Sequence, residues 1–214
     1  FDKSNGHSMI LCKRYAPDTG WSETTTIAEA DRLIHTLKLI GDRRGRYFIF
    51  WDWQENKSGT GKYTYEGYVP VYASYYSTAN GWSAANKIAD DIAYSMVDRI
   101  VPAFDDNGNV IAVWAHQVYA PGNHRADIWA VRYAALSGWD KASVIEPGIE
   151  RRSGNESKSA WPRIAFDSIG NALVVWQQAC DTQNGGIWSN RYTVNVGWGE
   201  AAPITRNDYD QAWP

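Results

Sequence analysis

Four Gly-Trp pairs punctuate the sequence, at Gly20-Trp21, Gly81-Trp82, Gly138-Trp139 and Gly197-Trp198, with spacings of 61, 57 and 59 residues. Six residues before each Trp stands a tyrosine (Tyr15, Tyr76, Tyr133, Tyr192), and six after it an isoleucine (Ile27, Ile88, Ile145, Ile204). Arg14, Arg132 or Arg191 precedes the tyrosine in three copies and Tyr75 in the other. A second register runs ahead of the first. DRRGRYFIFW, DDNGNVIAVW and DSIGNALVVW superpose without a gap, aligning Asp42 with Asp105 and Asp167, Gly45 with Gly108 and Gly170, and Trp51 with Trp114 and Trp176. Eleven of the twelve tryptophans occupy a repeated position, Trp53 being the exception. Such a repeat narrows the fold sharply, because each copy must bury the same apolar faces against its neighbours.

Each copy reads as four strands. A short apolar stretch (HTLKLI, RIVPAF or PRIAF) leads into the D-x-x-G turn. There Asp accepts from a backbone N–H two residues on, and Gly takes positive φ. The second strand (YFIFW, VIAVW or ALVVW) is almost wholly apolar, which predicts cover on both faces. The third (PVYASYY, DIWAVRY or GIWSNRY) alternates, as a half-covered strand does. The fourth follows the Gly-Trp pair and ends near the repeated Ile. Residues 26–33 and 85–90 carry some helical pattern, but their place in the repeat predicts strand plus loop. With 12 Trp, 13 Tyr and 18 Gly in 214 residues, composition agrees with a β protein. The expected fold class is all-β: a β-propeller of four-stranded antiparallel blades stacked around an axis. A β-sandwich or a solenoid of β-units is the alternative architecture.

The repeat divides the chain into a half blade at 1–33 holding third and fourth strands, full blades at 34–95, 96–157 and 158–210, and the start of another at 211–214. All belong to one propeller domain. Ala212-Trp213-Pro214 repeats Ala160-Trp161-Pro162, which opens the previous copy. A ring needs at least about four blades, so the expectation is an excerpt of a longer chain of roughly six to eight, or closure between subunits of an oligomer. An uncovered blade face and edge strand would otherwise invite aggregation.

The charge balance, 21 Lys and Arg against 24 Asp and Glu, lacks the basic footprint of a nucleic-acid binder. No apolar run approaches the roughly 20 residues of a membrane helix, so no membrane insertion is expected. Two cysteines, Cys12 and Cys180, cannot form a disulfide framework and are expected as free thiols. A bridge between them would require the first and last copies to be neighbours.

The combination P-x-I-A-F-D-x-x-G-N-A-x-V-V-W-Q, then I-W-x-x-R-Y, then G-W-G-x-A-x-x-I, resembles the Trp-rich repeats of secreted bacterial and archaeal β-propeller proteins. The general plan is also similar to that of the seven-bladed propeller lectins of insect-associated bacteria, which carry a D-G turn and a G-W-S segment in each repeat. The resemblance covers the whole chain. It implies a secreted, periplasmic or cell-surface protein and, by analogy with the lectins' aromatic pockets between blades, sugar binding.

The repeated tryptophans Trp51, Trp114, Trp176, Trp21, Trp82, Trp139 and Trp198 are expected to pack between blades and over the outer hairpins. Trp129 and Trp188 could instead stack on sugar rings at a blade junction. Specificity belongs where copies differ, in the link between second and third strands. In the second copy this link is the longest, with Glu55, Tyr63, Tyr65, Glu66 and Tyr68, and Trp53 stands beside it. The third copy offers His116, Tyr119, His124, Arg125 and Asp127, and the fourth Gln177, Gln178, Asp181 and Asn184. These links are expected as loops on one rim, a mixture suited to a polar ligand or a protein. His116, His124 and Asp127 lack tight zinc-ligand spacing, and the D-x-x-G turns lack the alternating oxygens of a calcium loop. No metal and no cofactor is expected. No acid occurs in the apolar first strands as read, and no hydrolase motif appears, so no catalytic residues are assigned. Two N-x-S sequons stand at Asn56 and Asn155. The expected function is non-catalytic recognition of a glycan or partner protein. A scaffolding role, or a hydrolase with its catalytic residues elsewhere, is the alternative.

Overall fold

The computed structural model describes residues 7–54, 69–89, 95–120, 123–146, 158–179 and 186–205. It is all-β, and its sheets follow the repeat. In unit 1, Ser8–Cys12 pairs antiparallel with Thr25–Ala30, and the short hairpin Tyr15–Ala16 and Gly20–Trp21 lies between them. Unit 2 is a four-stranded antiparallel meander of Leu37–Gly41, Tyr47–Asp52, Val71–Ser77 and a broken last strand, Gly81–Trp82 with Asn86–Ala89. Unit 3 repeats it with Ser95–Phe104, Val110–Ala120, Asn123–Ala134 and Gly138–Trp139 with Ser143–Val144. Unit 4 repeats it with Lys158–Phe166, Ala172–Ala179, Gly186–Thr193 and Gly197–Trp198 with Ala202–Pro203. Among the described residues one parallel pair, Ala126 with Lys158, joins units 3 and 4. The helical patterns at 26–33 and 85–90 give way to strands Thr25–Ala30 and Asn86–Ala89. Among the described residues no helix is long and apolar enough to cross a membrane.

The D-x-x-G turn is built identically three times. Oδ1 of Asp105 accepts from the backbone N–H of Asn107 and Asn109, while Oδ2 accepts from the Asn109 side chain. Asp167 makes the same bonds with Ile169 and Asn171. Asp42 makes them with Arg44 and Arg46, the Arg46 guanidinium replacing the amide. Gly108 closes its turn at φ 87°, a conformation that a Cβ would strain. The side-chain amide oxygens of Asn109 and Asn171 then accept from the backbone N–H of Ala135 and Val194, tying this turn to the next hairpin.

Why the second strand is apolar on both faces is plain from its neighbours. Val110, Ala112 and Trp114 join Phe48, Phe50, Val71 and Ala73 of unit 2 in one core. Ile111, Val113 and Ala115 join Ala172, Val174 and Trp176 of unit 4 in another. A third core holds Ile10 of unit 1 with Ile49, Trp51 and Trp53 of unit 2. Period-two alternation thus places each strand between two sheets. Trp51, Trp114 and Trp176 all face the preceding unit and are fully buried.

A lighter contact repeats at the residue before each tyrosine. Arg14 lies over Tyr76, Tyr75 packs on Tyr133, and Arg132 lies over Tyr192, each reaching the next unit. Arg191 of unit 4 turns back instead, to Asp167 at 3.4 Å.

Candidate functional site

The links predicted as rim loops differ from that reading where they are described. In unit 3 the second and third strands continue as one long hairpin, Val110–Ala120 paired with Asn123–Ala134. His116 stands opposite Asp127, Tyr119 opposite His124, and Val118 opposite Arg125. Polar residues that read as loop therefore belong to strands, because the ladder satisfies their backbone groups and the neighbouring sheet supplies cover. Gln177 and Gln178 likewise lie within Ala172–Ala179. Glu55, Tyr63, Tyr65, Glu66 and Tyr68 lie outside the described residues, as do Asp181, Asn184, Asn56, Asn155 and Cys180. His124 is described only through its backbone. Cys12 is a half-buried free thiol.

Trp53, His116 and Gln178 prove to be one structural position, two residues beyond the repeated Trp. All three are buried, which corrects their placement on an exposed rim. Gln178 accepts from the Trp176 indole N–H at 3.2 Å. His116 is 1% exposed, and among the described residues neither ring nitrogen has a hydrogen-bond partner; nor do the Trp114 and Trp129 indole N–H groups. Burial, with the Arg125 guanidinium adding to it, lowers the His116 pKa to about 4, so the imidazole is neutral at pH 7. Arg125 pairs with the buried Asp127 at 3.2 Å. Trp129 stacks on Trp114, with ring centroids 6.4 Å apart, as Tyr72 stacks on Trp51 at 5.8 Å. Trp188 stands opposite Trp176 and packs into the core between units 3 and 4. Trp129 and Trp188 are thus parts of inter-sheet cores.

At the junction of units 2 and 3, Asp52 is fully buried. Its Oδ1 accepts from the backbone of His35 at 3.0 Å and Thr36 at 2.6 Å, and its Oδ2 from Gln54 at 3.3 Å. Burial pushes its pKa up, with these bonds opposing. His35 in turn approaches the Val97 carbonyl of unit 3 at 3.1 Å. Asp52 therefore anchors the start of unit 2's first strand, a structural use of an acid.

A pocket that sequence reasoning missed lies beside the first strand of unit 4. It measures about 370 Å³ and is lined by Arg99, Trp161, Arg163, Val175, Trp176, Gln177 and Ile187. Arg99 and Trp161 occupy the same place in their units, each six residues before the turn aspartate. The ladder slips at both, between Asp98 and Val101 and between Ala160 and Arg163. Both residues have left-handed backbones, φ 52° for Arg99 and 55° for Trp161. Such a bulge re-aims side chains that regular pleating would send elsewhere. Here the Arg99 guanidinium carbon lies 5.6 Å from the Trp161 ring centroid. Arg163 donates from Nη1 to the Pro162 carbonyl at 3.0 Å. These strands begin earlier than the apolar stretches predicted, at Ser95 and Lys158, so Asp98 falls within the first strand of unit 3. The visible signal for this site was the recurrence of Ala-Trp-Pro at 160–162 and 212–214.

A second cavity, about 410 Å³, is apolar, lined by Met9, Ile10, Leu11, Cys12, Ile27, Leu37, Leu39, Ile49 and Trp82. It lies alongside the unit 1 strand Ser8–Cys12, which pairs on one side only among the described residues. In units 2 to 4 that side of the third strand carries the second strand.

No protein-family model matches the chain, nor does any curated protein sequence. Among solved structures, a protein of unknown function from Dyadobacter fermentans is similar with a TM-score of 0.56 at 11% identity, over 97% of this chain and 61% of that one. The chain thus spans about three-fifths of that protein's length, and at this identity the likeness is one of fold. An endo-arabinase from Bacteroides thetaiotaomicron aligns at a TM-score of 0.46 and 15% identity, over 88% of this chain and 70% of that one. AofleA from Arthrobotrys oligospora aligns at 0.23 and 9%, over 97% and 89%.

Proposed function

We propose that this chain is part of a propeller-like, non-catalytic binding protein of the cell exterior that recognises a carbohydrate at the pocket between units 3 and 4. The observation that carries the reading is the pair of strained bulges. Left-handed backbone costs a bulky residue on the order of 1–2 kcal/mol, and two equivalent positions accept it while presenting Arg99 and Trp161 to a pocket. An indole, two guanidinium groups and the Gln177 amide combine an apolar platform with fork-shaped donors, the chemistry a sugar ring and its hydroxyls need. Among the described residues no carboxylate lines the pocket, which supports binding over glycoside hydrolysis there. The successive face-to-face cores of units 1 to 4 support the propeller-like arrangement.

The test is titration of the protein with a panel of neutral and acidic oligosaccharides, followed by tryptophan fluorescence and calorimetry. Saturable binding to at least one, weakened by Trp161→Gly, is the expected result. Glycine keeps the left-handed backbone and removes only the indole. A flat response across the panel, or binding indifferent to Trp161→Gly, would overturn the reading.

A further inference from the structure

Among the described residues, the pocket wall carries two arginines and no carboxylate. Arg99 and Arg163 line it together with Trp161, Val175, Trp176, Gln177 and Ile187, none of them acidic. Among the described residues, Arg163 has no carboxylate partner, and its bond to the Pro162 carbonyl uses one of five guanidinium N–H donors. Arg99 is held over the half-buried Trp161 indole, which fixes its guanidinium beside the opening. A concave site with arginine in its lining is favourable for an anion, and a guanidinium fork fits a carboxylate by paired hydrogen bonds. The aromatic ring and the Val175 and Ile187 side chains supply apolar surface for the carbon skeleton that bears it.

We infer that the ligand of this pocket is an acidic sugar residue, a uronic acid, whose carboxylate pairs with Arg163 while its ring lies against Trp161. The inference rests on the carbohydrate reading above and narrows it to one chemical class. The volume, about 370 Å³, lies at the small end of ligand sites, which suits one or two sugar residues rather than a long segment. Arg163 is the more informative of the two cations. It is exposed, so its replacement leaves the fold intact, whereas Arg99 sits at the bulge.

The experiment compares digalacturonate with its neutral counterpart, galactobiose, by calorimetry on the unaltered protein and on Arg163→Gln. The acidic disaccharide is expected to bind at least about tenfold more tightly, because charge-assisted bonds exceed neutral ones. That preference should shrink several-fold between about 50 and about 500 mM salt. Arg163→Gln should abolish the preference while leaving any neutral-sugar affinity in place. Equal binding of the two disaccharides would overturn the inference and leave the carbohydrate reading standing. An acid preference that survives Arg163→Gln would overturn the assignment of the carboxylate to this pocket. If neither disaccharide binds while another neutral sugar does, acidity is not what the site reads. If no saccharide binds at all, both readings fall.

Discussion

Unit 3 and the units at either end of the described stack use the same residues under different conditions. Trp139 and Trp21 occupy the same repeat position and make the same local contact, edge-on to Tyr133 at 5.1 Å and to Tyr15 at 5.4 Å. Trp139 then packs on Phe48 and Phe50 of unit 2, whereas Trp21 is 68% exposed. On the other side, Ile111 is buried between units 3 and 4, while its counterpart Leu173 in unit 4 is 49% exposed. In unit 2, Leu37 is 53% exposed, whereas its counterpart Ile100 is 2% exposed. The repeat therefore specifies the geometry inside each sheet, and the neighbouring sheet supplies the burial. Strength should vary along the stack although sequence pattern does not.

The sharpest way to break this comparison is to remove equivalent indoles. Trp114→Ala empties a fully buried site between two sheets and should cost about 3–5 kcal/mol. Trp21→Ala removes an exposed ring held by one tyrosine and should cost under about 1 kcal/mol. Urea denaturation of the 214-residue chain reads both. Equal losses would show that the hairpin contact, and not the neighbouring sheet, carries the stability.

Features legible in the sequence are those that act within one sheet. The turn Asp, its Gly and the cross-strand pairs Trp51–Tyr72, Trp114–Trp129 and Trp176–Trp188 depend on spacing along the chain, and spacing is what a sequence displays. The candidate site was not legible, for two physical reasons. A left-handed backbone at Arg99 or Trp161 has no residue signature, since Gly or Asn is what that conformation favours. And His116, Arg125 and Asp127 read as loop because polar side chains are usually solvated. Here the sheet ladder carries their backbones, and His116 and Asp127 are buried. A third feature, that Trp53, His116 and Gln178 share one position, was present in the alignment but hidden by their chemical difference.

That shared position gives the next test, a comparison of units 3 and 4. His116 is held neutral down to about pH 4, while in the unfolded chain it takes a proton below about pH 6.5. The unfolded state therefore binds more protons between those values. Stability should be fully present above about pH 6.5, fall by as much as about 3 kcal/mol toward pH 4, and level off below. Burial is the main cause, with Arg125 second. His116→Gln copies unit 4, where Gln178 accepts from the Trp176 indole, and would offer the unpartnered Trp114 indole the same acceptor. It should remove this part of the acid slope and change stability at pH 7 by no more than about 1 kcal/mol. Paired denaturation curves at several pH values check it. An unchanged slope would place the acid-sensitive group elsewhere.

The smallest expected effect bears most directly on how successive sheets grip one another. Arg132 reaches across to Tyr192 of unit 4, its carbon 5.5 Å from the ring centroid, and also lies 3.7 Å from Asp140 of its own unit. Arg191, the same residue one unit later, is exposed and among the described residues pairs with Asp167 of its own turn at 3.4 Å. A cation over an aromatic ring at a half-covered site contributes about 0.5–1 kcal/mol, while an exposed ion pair is screened to little. Arg132→Ala should therefore destabilise by about 0.5–1 kcal/mol and Arg191→Ala by less than about 0.5 kcal/mol. The Asp140 pair complicates the first value, so Arg132 should be measured in both wild-type and Asp140→Ala backgrounds. If the loss from Arg132→Ala persists without Asp140, the guanidinium–tyrosine contact carries it. If it vanishes, the contact between units at this position is incidental, and the apolar cores alone hold the sheets together.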